Sequence, residues 1–153
     1  MGSSIEISTK TKSDCYFRTI GYSDIDDELI QQITETRKVR WIQICTALPD
    51  KAFPMIDRIL EARPDITFRM YSFSDCKTID ISFLKRMPHM QRLQIDCIDF
   101  RHNPDRIDFS LLHDLPLKAL HIWCFNLRDY RFIQNLSEEL EPLNVVAETL
   151  GGR

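Results

Sequence analysis

The sequence predicts an α/β fold, a one-dimensional solenoid stack in which short parallel strands alternate with helices, on three observations. A phrase recurs as Val39-x-x-Ile42-x-Ile44, Asp65-x-x-Phe68-x-Met70, Met90-x-x-Leu93-x-Ile95 and Leu117-x-x-Leu120-x-Ile122, stepping 26, 25 and 27 residues at its fourth position. Pro64, Pro88, Pro116 and Pro142 punctuate the chain independently, 24, 28 and 26 residues apart. Proline stops a helix because it lacks an amide hydrogen and pushes its predecessor out of the α region. Between phrase and proline, apolar residues fall at helical spacing, as with Phe53, Ile56, Ile59 and Leu60.

Taken in chain order, residues 1–14 are rich in Ser, Thr and Lys around isolated Ile5 and Ile7, and are expected to form a flexible tail or a loosely attached first strand. Residues 15–38 read as a degenerate first repeat: a strand over 16–20, then a helix over 25–36 carrying Ile25, Leu29, Ile30 and Ile33 and capped by Ser23 or Asp24. Repeats follow at 39–64, 65–89, 90–116 and 117–142, with helices expected over 52–62, 78–87, 109–114 and 130–141. Right-handed crossovers make consecutive strands neighbours and put the helices on one side. A partial rung at 143–150 starts with Leu143-x-x-Val146, 26 residues after Leu117. It would be an edge strand, open to self-association.

The 153 residues suit one domain, residues 15–150, with 43% apolar and 28% charged side chains supplying a core. Twenty basic against 23 acidic residues, without like-charge blocks, argue against nucleic acid as a partner. No apolar run reaches the roughly 20 residues of a membrane span. Five cysteines without a C-x-x-C pair indicate neither a disulfide framework nor a zinc knuckle. With no apolar leader in the first 14 residues, a reducing cytoplasm is expected. Four glycines build no phosphate loop, and four histidines lack the i, i+4 spacing of a helix-borne metal pair. The reading is therefore non-enzymatic, with no cofactor and no metal.

From Val39 to about Val146 the chain resembles leucine-rich-repeat proteins, and repeats of 25 to 27 residues with a helix each are most similar to the ribonuclease-inhibitor and cysteine-containing F-box-associated classes. Departures are Ile, Phe, Met or Val at many leucine sites, Asp65 at one first-leucine site, and Ala47, Phe73, Ile98 and Phe125 where Asn or Cys is usual. The resemblance implies a parallel sheet on the concave face, helices on the convex face, and a scaffold for protein–protein recognition.

If Ile42/Ile44, Phe68/Met70, Leu93/Ile95 and Leu120/Ile122 point inward, strand alternation puts three columns on the concave face. They are Trp41, Thr67, Arg92, Ala119; then Gln43, Arg69, Gln94, His121; then Cys45, Tyr71, Asp96, Trp123. Trp, Tyr and Arg dominate interface hot spots, so partner contacts are expected at Trp41, Gln43, Arg69, Tyr71, Arg92, Gln94, Asp96, His121 and Trp123. The competing expectation is internal satisfaction, with Arg69 or Arg92 paired to Asp96 or stacked on Tyr71. Cys97 and Cys124 are expected at equivalent positions beside Thr46 and Ser72, as inert thiols. Two further functions stay open: a fragment or self-pairing unit of a longer solenoid, and thiol chemistry at Cys45 or Cys97.

Overall fold

A computed structural model describes residues 4–8, 17–21, 23, 25–72, 79–101 and 107–149. The strands are β1 (Ser4–Ser8), β2 (Phe17–Gly21), β3 (Trp41–Ile44), β4 (Thr67–Tyr71), β5 (Arg92–Asp99), β6 (Ala119–Phe125) and β7 (Leu143–Glu148), and the helices are α1 (Asp27–Glu35) and α2 (Ala52–Ala62). They form one sheet in the order β2-β1-β3-β4-β5-β6-β7, parallel from β3 to β7. Helices and sheet share a core that includes Ile42, Ile56, Leu60, Phe68, Met70 and Ile95.

Of the two expectations for residues 1–14, the strand holds for Ser4–Ser8. β1 lies antiparallel between β2 and β3, pairing Ile7 with both Arg18 and Ile42. It covers the backbone edge that β3 would otherwise leave open, a non-local requirement that two isolated isoleucines do not announce. The strand expected at 16–20 is present as β2, but it joins the sheet beyond β1 rather than beside β3.

α1 buries Leu29, Ile30 and Ile33 and is capped by Asp26, not by Ser23 or Asp24: its carboxylate accepts from the Leu29 N–H at 2.8 Å. α2 spans the expected residues and buries Phe53, Ile56, Ile59 and Leu60. The other three are 3-10 helices: Phe109–Asp114 spans the expected residues, whereas Ser82–Arg86 and Arg131–Asn135 are shorter than expected. Each is entered through the same device, an aspartate accepting from the N–H two residues on: Asp80 from Ser82, Asp108 from Ser110 and Asp129 from Arg131, at 2.8, 3.0 and 3.0 Å. That local bond draws the backbone into a tight turn in competition with the α-helix. Serine contacts also hold the Asp80 and Asp108 carboxyls below their ordinary value, and the Arg131 guanidinium draws Asp129 down to about 2. A few aromatic rings suffice to cover the sheet there. Phe83 stacks on Phe53 with centroids 4.7 Å apart, and Phe109 meets Phe132 at 4.9 Å, each pair worth about 1 kcal/mol beyond its burial.

The register carries the repeat phrase across the sheet: Ile42 pairs with Phe68, Phe68 with Leu93, and Leu93 with Leu120. Val39, Met90 and Leu117 are buried at the first site, whereas Asp65 is exposed and the adjacent Ile66 is fully buried in its stead. The last rung departs from its expected phase. Leu143 pairs with Leu120, not with Leu117, so Val145 and Ala147 pack on the core and Val146 points to the other face, 36% exposed, while Leu143 on this edge strand is 41% exposed. Cys97 is an extra residue in β5, a bulge at φ 62°, which aligns Cys124 with Ile98 and leaves the two cysteines inequivalent. Among the described residues no helix is long and apolar enough to cross a membrane.

One ion pair staples the turn before β5 to α2: His89 Nδ1 sits 2.7 Å from the buried Asp57 carboxylate, which also accepts the His89 N–H at 2.9 Å. The Asp57 contact raises the His89 pKa above its ordinary value. Its charge therefore stabilises the fold fully below about pH 6.5, and this contribution fades as pH rises through the elevated folded-state value. The melting-temperature gap between wild type and His89→Gln is expected to narrow from acidic to mildly alkaline pH. A gap that widens would contradict the pairing.

Candidate recognition face

The strands bring most of the three expected columns into line, although Cys45 lies past the end of β3. Gln43 pairs with Arg69, Arg69 with Gln94, and Gln94 with His121. Tyr71 pairs with Asp96, and Asp96 with Trp123; Trp41 lies beside Thr67, and Arg92 beside Ala119. Burial then divides these residues into two groups.

The inner group is a polar network centred on Asp96, whose side chain is only 2% exposed. Its Oδ2 accepts from Arg69 Nε at 2.8 Å, Arg69 Nη2 at 2.7 Å and Gln94 Nε2 at 2.6 Å. Arg69 Nη1 donates to Gln43 Oε1 at 2.8 Å, and the guanidinium lies 4.7 Å from the Tyr71 ring centroid, within cation–π range. Gln43 and Asp96, expected as partner contacts, are buried and cannot present side chains to a partner. Arg69 remains 24% exposed, but its donors are engaged within the sheet. The cause is cross-strand proximity: oppositely charged groups on adjacent rungs desolvate each other once they pair. Asp96 Oδ1 has no hydrogen-bond partner among the described residues; His121 Nε2 is 3.6 Å away.

The outer group is half-buried: Trp41, Tyr71, Arg92, Gln94, His121 and Trp123. Phe125 joins it, its ring 5.5 Å from that of Trp123. Sequence reasoning omitted Phe125, although continuing the alternation of His121 and Trp123 by one step reaches it. Arg92 has no acceptor among the described residues. The face is thus two tryptophans, a tyrosine and a phenylalanine around Arg92.

Burial pushes the Cys97 thiol up and the Cys124 thiol to about 11, the opposite of what a nucleophilic thiolate requires. The Cys97 bulge turns its thiol toward Tyr71, whose hydroxyl it pushes above its ordinary value. Cys45 lies half-buried with its Sγ 3.8 Å from Gln43 Nε2. Asp99 caps the turn after β5, accepting from the Arg101 N–H at 2.8 Å and Asn126 Nδ2 at 3.0 Å. No group of three His, Cys, Asp or Glu among the described residues could hold a metal ion. Cys15, Cys76, His102, most of the 72–77 loop and residues 102–106 of the charged loop lie outside the described residues. Comparison with protein-family models, curated proteins and solved structures finds no match.

Proposed function

We propose that the chain is a divergent leucine-rich-repeat solenoid and a non-enzymatic scaffold that recognises a protein on the open, concave face of its sheet. The observation that carries this reading is that Trp41, Tyr71, Trp123 and Phe125 stay partly exposed on a sheet face that the helices do not cover. Large, stiff aromatic side chains supply contact area at small entropic cost. The Arg69–Asp96 network beneath holds their backbone in register. Free thiols at Cys45, Cys97 and Cys124 suit a reducing compartment such as the cytoplasm.

The test is photocrosslinking in cells with p-benzoylphenylalanine at position 123 and, as a control, at the exposed helix position of Glu61. A discrete crosslinked partner from position 123 alone, lost on Trp41→Ala, is expected. Crosslinks from Glu61 with none from position 123 would refute the face. A second reading rests on β7, where Leu143 and Val146 are exposed on the outermost strand: chains could pair edge to edge. A single monomeric species in sedimentation at high micromolar concentration would eliminate it.

A further inference from the structure

We infer that the recognition face takes an acidic segment of its partner, seating one carboxylate side chain in a hollow built around Arg92. This rests on the proposed recognition function and specifies its chemistry. The hollow lies where β4, β5, β6 and β7 run side by side, and it has a volume of about 180 Å³. That is well below the roughly 300 Å³ at which small-molecule pockets begin, so it suits a single side chain rather than a cofactor. It exists because the column beside Arg92 holds small neighbours, Thr67 on one side and Ala119 on the other.

The lining is one-sided in charge. Arg92, His121 and Asn144 bring donor-capable groups to it, Gln94 Nε2 being held by Asp96 Oδ2, and no carboxylate lines it. Half-buried Arg92 has no acceptor among the described residues, although the whole chain carries a net charge of −3. Arg69 cannot share the task, because Asp96 and Gln43 already hold it. A planar carboxylate matches the guanidinium fork with two parallel hydrogen bonds, and a partly desolvated Arg–carboxylate contact is stronger than one in open water. The flanking Trp41 and Trp123 would bracket the segment with apolar contact.

The experiment titrates the isotope-labelled chain with acetylated octaglutamate, with octalysine and with inorganic phosphate, following backbone amides and the Arg92 Nε–H by NMR. Octaglutamate is expected to move Arg92, Gln94, His121 and Asn144, and added salt to weaken it. Arg92→Gln, which removes the charge, should lower affinity about tenfold, the loss expected for a charge-assisted hydrogen bond. Ala119→Leu, which fills the hollow and keeps Arg92, should lower it similarly. Shifts centred elsewhere, equal binding of octalysine, or wild-type affinity in both variants would overturn the inference. Phosphate moving the same residues as strongly would replace the acidic segment with a free anion. If position 123 crosslinks a partner while octaglutamate leaves Arg92 unmoved, the recognition function stands and only the acidic hollow falls.

Discussion

Replacing Arg63 by methionine is expected to destabilise the chain by about 3–5 kcal/mol, because it takes the donors from several backbone carbonyls at once. Arg63 follows α2 and turns back toward α1, where it donates to the carbonyls of Thr36 at 2.9 Å, Arg37 at 3.3 Å and Val39 at 3.0 Å. It also reaches the Ile33 carbonyl at 3.4 Å and holds Asp65 through Nε and Nη2, both at 2.8 Å. Those carbonyls end α1 and lead into β3, so one side chain closes the first helix, the second helix and the start of β4 together. Methionine keeps the stem and removes every donor. Each buried carbonyl left without a partner costs about 1–3 kcal/mol. For a domain of this size the melting temperature should fall by roughly 10 °C or more. Urea denaturation measures the loss directly, and a change below about 1 kcal/mol would show that water replaces the guanidinium. Arg63→Lys should fall between, since one ammonium cannot span the same acceptors.

Asp96→Ala carries the second large effect, also about 3–5 kcal/mol, because it strands Arg69 and the Gln94 amide in a desolvated site. The informative comparison is the double replacement Arg69→Met with Asp96→Leu. It removes both charges and keeps the volume, and it should recover most of the lost stability. Additive losses in the double variant would mean that the two residues act separately, against the 2.7 Å contact between them. The double variant should still crosslink through position 123 if the aromatic side chains, rather than the network, make the partner contacts.

Much of this fold was legible in the residues. The spacing of Ile42, Phe68, Leu93 and Leu120 predicted which residues would lie side by side, and the sheet register matches it. The helical face of α2 was equally plain, because its apolar residues recur at the helical period. The 3-10 helices were less visible, since five or six residues are too few to separate a tight turn from a helix by period alone. Their signature was present as Asp80-Ile-Ser82, Asp108-Phe-Ser110 and Asp129-Tyr-Arg131, a turn motif whose meaning depends on one side-chain bond. The last rung misled because Leu143 imitates the first site of the phrase while pairing at the fourth.

The candidate face divides in the same way. Alternation along a strand is a local property, so the order of residues alone assigned Trp41, Tyr71, Arg92, His121 and Trp123 to one side of the sheet. Which of those side chains remain available is not local. Arg69 and Asp96 are 27 residues apart, and only their meeting on adjacent rungs turned two expected contacts into an internal pair. The same holds for β1, which fills the edge of β3 across more than thirty residues of chain. Backbone edges and buried charges are satisfied by whatever the fold brings near, and proximity of that kind is written in the tertiary structure rather than in any window of the sequence.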